Sequence, residues 1–183
     1  MSWHLTVYYT AVESFHGGNA VNVQGKLGAY GNTVGKAKSL GKFPASFAKA
    51  VEDEGTGRIT SGIYMGKYLN WSSDTGYWVD VIPCNSYGQV LQPFITCAAD
   101  QSVLPRGTRV KILSCGTDTD SGDPCPPVAC AAFKKAAWVV SDEFTPGMGG
   151  KGHIDLYIGE ENIPNFERKS PLWVDLSGAE ISY

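Results

Sequence analysis

Apolar and polar positions along this chain alternate in short runs. Residues 5–11 (LTVYYTA) are β-branched and aromatic, 109–113 (RVKIL) and 153–158 (HIDLYI) alternate, and 137–141 (AWVVS) are mostly apolar. Each run has the length of a strand, and Gly and Pro separate them, so the pattern predicts short strands. One helix is predicted over 44–54 (PASFAKAVEDE), where Phe47, Ala50 and Val51 fall at i, i+3 and i+4 before a stop at Gly55. A second, shorter helix is predicted over 127–135. The glycine-punctuated stretches 17–41 and 116–127 read as loops, with no internal repeat and no low-complexity tract. The architecture expected from these pieces is a small, closed, mainly β barrel with loop and short-helix insertions.

Composition narrows the function classes. The 183 residues fit one domain, set here as 1–183 with insertions at about 17–54 and 116–136, and 43% hydrophobic content supports an ordinary core. A net charge of -3 supplies no general attraction to nucleic acid or to an anionic membrane. No apolar run approaches the ~20 residues of a membrane span. The start, Met1-Ser2-Trp3-His4-Leu5, lacks a signal-peptide pattern, so an exported form implies a leader outside this chain. Five cysteines, Cys84, Cys97, Cys115, Cys125 and Cys130, sit in the middle third. The reading favours export, with Cys115 paired to Cys125 or to Cys130. Zinc is disfavoured because Cys125 and Cys130 are too far apart for a CxxC knuckle.

The chemistry-bearing residues fall in three places. Asp100 precedes a Pro-x-Gly turn into the strand at Arg109, where its commonest role is to cap its own turn. Asp142 ends an apolar strand. Asp155 shares one face of HIDLYI with His153 and Tyr157, while Ile154, Leu156 and Ile158 take the core face. Beside the glycine-rich segment 146–152 this makes a polar shelf on which a carbohydrate can lie. Of the aromatics able to stack on sugars, Tyr8, Tyr9, Trp71, Trp78 and Trp138, only Trp71 and Trp78 are expected to be exposed. The acidic loop with Asp118, Asp120 and Asp123 lacks the ligand run of a calcium site and reads as a solvated turn.

AADQSVLPRGTRVKI (98–112) followed by WVVSDEFTPGMGGKGHIDLYIG (138–159) resembles the three-aspartate domain shared with the membrane-bound lytic transglycosylase A family. Upstream, LTVYYT (5–10) is similar to that family's F-T-G-Y-Y-T strand, and EGTGRI (54–59) to its Q-G-S-G motif. The sequence departs from the pattern between Asp142 and Asp155, where Asp142-Glu143-Phe144-Thr145 replaces D-x-G-G. The segment 115–130 is similar instead to the disulfide-rich loops of barwin-like and expansin-like barrels.

The resemblance implies a six-stranded double-psi β-barrel and a lytic transglycosylase. Such an enzyme cleaves the β-1,4 bond between N-acetylmuramic acid and N-acetylglucosamine in peptidoglycan without water, leaving 1,6-anhydro ends. It also implies Asp155 as general acid and base, with Asp142 and Asp100 converging on it to raise its pKa. Thr6, Thr10, Thr56 and Gly57 would contact substrate, joined on the reading of the residues by Lys151, His153, Trp71 and Trp78. No cofactor and no metal are expected, and the partner is a β-1,4-linked polysaccharide met by a secreted or cell-envelope monomer. Two alternatives stay open: an endoglucanase-like hydrolase that uses two carboxylates, and a non-catalytic expansin-like or barwin-like binding module.

Overall fold

The structure, a computed structural model, describes residues 2–28, 35–144 and 149–183. In chain order these form β1 (Trp3–Val12), β2 (Ala20–Leu27), β3 (Lys38–Pro44), α1 (Ala45–Glu54), β4 (Thr56–Arg58), β5 (Tyr68–Ser72), β6 (Gly76–Asp80), β7 (Thr96–Ala99), β8 (Arg109–Ser114), β9 (Thr117–Asp118), α2 (Pro127–Lys135), β10 (Trp138–Asp142), β11 (His153–Glu160), α3 (Phe166–Lys169) and β12 (Asp175–Ser182). The fold is mainly β, as the strand pattern predicts. It comprises two compact units, one of Met1–Tyr8, Gln92–Gly159 and Phe166–Tyr183, the other of Tyr9–Leu91 and Glu160–Asn165.

In the first unit, strands pair in the order β1, β11, β7, β10, β8, β12, and β12 returns to pair with β1. Six strands thus close into a ring, which leaves none of them with a free edge. β10 runs parallel to β7, whereas the β7–β11, β8–β10, β8–β12 and β1–β12 pairs are antiparallel. Alternation sends Trp3, Leu5, Val7, Ile154, Leu156 and Ile158 into the core, all of them buried. The helix expected over 127–135 is α2, and the Trp138 indole donates to the carbonyl of Phe133 at its end. Beside it Cys115 pairs with Cys130, which decides between the two partners that the sequence leaves open; Cys84, Cys97 and Cys125 are free and buried. The loop expected over 116–127 holds the two-residue strand β9, paired with β12.

In the second unit the strands pair in the order β3, β2, β6, β5, β4 and the last residues of β1. Here the sequence reading needs correction, because β2 and the start of β3 occupy much of the stretch 17–41 expected as loop; the part of that expectation at 29–34 lies outside the described residues. The cause is physical. In AVNVQGKL only Val23 and Gly25 are buried, so hydrophobic alternation is weak. Gly25 is not a turn residue: a Cβ there would meet the Tyr77 carbonyl and stand 2.6 Å from Leu40 Cδ1. β5 and β6 form a hairpin that carries Trp71 and Trp78.

α1 matches its expected span, with Phe47, Ala48 and Val51 buried, so that Ala48 rather than Ala50 completes the inward face. It ends as read, at Gly55 in the left-handed region (φ 86°), whose N–H donates to the Val51 carbonyl at 2.8 Å. Gly57 follows directly, in β4. A Cβ there would lie 2.5 Å from Val51 Cγ2 and 2.6 Å from Phe47 Cε2, so the helix rests on the bare backbone of this glycine. Gly57→Ala is therefore expected to cost about 1–3 kcal/mol. Thermal unfolding checks this, and an unchanged melting temperature would show that α1 has room to move.

Candidate active site

The polar side chains of the first unit gather on one face of consecutive strands. On β1, His4, Thr6 and Tyr8 are two residues apart and share the face opposite Leu5 and Val7; on β11, His153, Asp155 and Tyr157 do the same. Register aligns their neighbours. Thr6 stands opposite Asp175 of β12, and Ala98 of β7 stands opposite Asp155 on one side and Asp142 of β10 on the other. Cross-strand partners project to the same face, so Asp142 and Asp155 flank a single small residue, two strand spacings or about 10 Å apart at the backbone. Asp100 lies two residues beyond Ala98, just past the end of β7.

Hydrogen bonds bind this face together. The Thr6 hydroxyl donates to Asp155 Oδ1 at 2.8 Å and lies 2.9 Å from His153 Nε2. The Tyr8 hydroxyl donates to Asp142 Oδ2 at 2.9 Å, and the Glu143 N–H donates to Asp142 Oδ1 at 2.9 Å. Tyr8 packs against Tyr157 at 5.3 Å between ring centroids, so Tyr157, expected on the polar shelf, is a core residue. The His153 ring lies 4.4 Å from both His4 and Phe144, and His4 Nε2 is 2.7 Å from Asp175 Oδ1.

Asp155 sits deep in this face and is only partly exposed as a residue. Burial pushes its pKa up from 3.8 to about 7; Thr6 opposes this, and the charges of Asp142 and Asp175 add to it. The ordering is reasonable, since withdrawing a carboxylate from water costs several kcal/mol. Burial also raises Tyr8 well above its ordinary value, which keeps its hydroxyl a neutral donor to Asp142.

The other expected site residues are placed as follows. Asp100 accepts from the N–H and hydroxyl of Ser102, which hold its carboxyl below the ordinary range, so it caps its own turn. Gln101 reaches the Asp142 carbonyl at 3.4 Å. Lys151 is exposed in the turn before β11; of the glycine-rich segment expected over 146–152, residues 145–148 lie outside the described residues. Thr10, Thr56, Gly57, Trp71 and Trp78 belong to the second unit. Thr10 and Thr56 are fully buried, and the Thr56 hydroxyl has no hydrogen-bond partner among the described residues. Trp71 is half-buried. Trp78, expected to be exposed, is 1% exposed, because its position in β6 faces the core of its unit. The Asp118 loop is a turn, with Asp118 accepting from the N–H groups of Asp120 and Ser121. Three cysteine sulfurs, of Cys115, Cys125 and Cys130, lie within 4.8 Å of one another, and two of them are joined in the disulfide. His4, Phe144 and Asp175 were not singled out from the sequence. The available signal was positional for His4, two residues before Thr6, whereas Asp175 joins only through β12.

The elevated Asp155 pKa has a consequence for stability. The folded chain keeps a proton on Asp155 that the unfolded chain releases near 3.8, so this carboxyl's contribution to stability falls as pH rises from about 4 to about 7. Asp155→Asn removes that dependence. Its melting temperature relative to the native chain is expected to be higher at pH 8 than at pH 4, by roughly 2–4 °C for each kcal/mol relieved. An offset that is the same at both pH values would contradict the raised pKa.

No sequence-family model matches the chain, and no curated protein matches it. Solved structures do. E. coli MltA with bound chitohexaose aligns with a TM-score of 0.59 and 12% identity, over 98% of this chain and 70% of that one. A membrane-bound lytic murein transglycosylase from Agrobacterium tumefaciens aligns at 0.55 and 11% identity, over 98% and 72%. The lytic transglycosylase LtgG of Burkholderia pseudomallei aligns at 0.51 and 12%, over 98% and 71%. Motif order in the sequence and backbone geometry in space point to the same proteins: the fold of this chain is the fold of the MltA lytic transglycosylases.

Proposed function

We propose that this protein is a lytic transglycosylase that cleaves peptidoglycan, with Asp155 as its general acid and base. The observation that carries the reading is a carboxyl with a pKa near 7, set on the open polar face of a fold shared with a transglycosylase that binds chitohexaose. We take the closed ring of six strands as the double-psi barrel that the sequence motifs imply. Asp155 enters the reaction protonated and gives its proton to the glycosidic oxygen. As a carboxylate it then takes the proton of the muramyl C6 hydroxyl while that oxygen attacks C1, so the sugar closes on itself and no water is consumed. A pKa near neutrality suits a group that must both give and receive a proton in one cycle.

Asp142 has a different part. It is buried and held by Tyr8 and Glu143, and it stabilises positive charge that develops at C1. Asp100 stays outside proton transfer, committed to Ser102. The substrate is a β-1,4-linked wall glycan and the setting the cell envelope, where a disulfide persists. Among the described residues no helix is long and apolar enough to cross a membrane.

Digestion of purified peptidoglycan followed by mass spectrometry tests the reading. Muropeptides lighter by one water than hydrolytic products are expected from the native chain, and a loss of roughly 10²–10⁴-fold from Asp155→Asn. The rate should fall as pH rises through about 7, where Asp155 loses its proton. Reducing ends in place of anhydro ends would transfer the site to a hydrolase, and binding without release would leave only a wall-binding module.

A further inference from the structure

The candidate acid is held by one hydroxyl, and that hydroxyl has two claimants. Thr6 Oγ1 is 2.8 Å from Asp155 Oδ1 and 2.9 Å from His153 Nε2, and it carries a single proton. If Nε2 presents a lone pair, the Thr6 proton is divided between imidazole and carboxyl. If Nε2 carries hydrogen, His153 donates to Thr6, and the Thr6 proton is committed to Asp155. The short contact to Asp155 fits the second arrangement.

His153 is itself gripped. Its ring lies between His4 and Phe144, 4.4 Å from each, with interplanar angles of 25° and 30°. His4 is fixed in turn by Asp175 Oδ1 at 2.7 Å from its Nε2, and Asp175 also accepts from the Thr119 hydroxyl at 2.6 Å. The order Asp175, His4, His153, Thr6, Asp155 runs across three adjacent strands, β12, β1 and β11, all within the first unit. Among the described residues, the charged and titratable groups that act on it are Asp155, Asp142, Asp175 and the two imidazoles, with Tyr8 and Cys97 coupled to Asp155 and Asp142 from β1 and β7.

We infer that His4 and Asp175 are positioning residues which, by clamping the His153 ring against Phe144, hold its Nε2 at Thr6, where His153 donates and so commits the Thr6 hydroxyl to Asp155. Thr6 and His153, expected from the sequence to contact sugar, thus serve the acid instead. This rests on Asp155 as the acid of the proposed reaction, but its structural part can be read without substrate. A hydrogen bond donated to the ionised carboxyl lowers its pKa. Every substitution that frees the Thr6 hydroxyl therefore raises the titration midpoint of Asp155.

The test follows the Asp155 carboxyl carbon by NMR in aspartate-labelled protein, with Asp155→Asn identifying the signal. Thr6→Val is expected to raise the midpoint by roughly half a unit to one unit. His153→Phe, which keeps the stack but loses the donor, should move it in the same direction. His4→Ala should do so by less, and His4→Phe, which restores a stacked ring, should return it most of the way. If the reaction is as proposed, His4→Ala lowers kcat with KM retained and displaces the alkaline limb of the kcat/KM pH profile in the same direction as the NMR midpoint; Asp175→Asn also removes a negative charge that raises Asp155, so its midpoint rises less than that of His4→Ala. A midpoint that is identical in the native chain, His153→Phe and His4→Ala, with the remaining spectrum unchanged, overturns the inference. Absence of glycan cleavage by the native chain counts against the proposed reaction alone, because the titration is measured without substrate.

Discussion

Register is the constraint on which the rest of the site depends. A β-strand presents alternate residues to opposite faces, so a slip by one position would send Leu5 and Leu156 to solvent and Thr6 and Asp155 into the core. Closure makes such a slip costly, because the six strands of the ring pair without a free edge and a shift in one must be taken up by all. The same register that buries Trp3, Leu5, Ile154 and Leu156 sets His4, Thr6 and Tyr8 beside His153, Asp155 and Tyr157. The core and the polar face are thus two outcomes of one alternation, and hydrophobic burial fixes the positions of the polar side chains.

That face is graded. Toward Tyr8 and Tyr157 it is dry, and there Asp142 is buried with a tyrosine hydroxyl as donor. Toward His4 and Asp175 it is open to water, with side-chain exposures of 41% and 45%. Asp155 lies between the two. A fully solvated carboxyl would titrate near 4 and be a poor acid at neutral pH, while one sealed in an apolar core would hold its proton too firmly to serve as acid. An intermediate depth, with one hydroxyl donor, yields a group balanced between its two protonation states.

The sequence made parts of this legible and concealed others for physical reasons. β8 and β11 are visible because their alternation is strong, β1 and β10 because β-branched, aromatic and apolar residues are concentrated in them, and α1 because Gly55 punctuates its end. β2 was hidden because it buries little apolar surface, and its Gly25 carries a packing meaning that resembles a loop signal. β7 is not predicted by the pattern, since TCAA is too short and too small to announce a strand, yet it supplies Ala98, the residue that Asp142 and Asp155 flank. Asp155 and Asp142 were found as residues, whereas their relation needed the crossing of β10 beside β7. Trp78 was misjudged because a polar hairpin can still turn one face inward.

Gly57 and Thr6 show how a motif position can be right while its role differs. Both were expected to meet substrate. Gly57 instead gives α1 its seat, where any side chain would displace Phe47 and Val51. Thr6 has its hydroxyl occupied by Asp155 and His153. In the proposed reaction a sugar hydroxyl that took Thr6 would deprive Asp155 of its donor once the proton has been given up, when the contact is to a carboxylate and stronger than a neutral one. Under that reading, competition for Thr6 would cost catalysis rather than affinity.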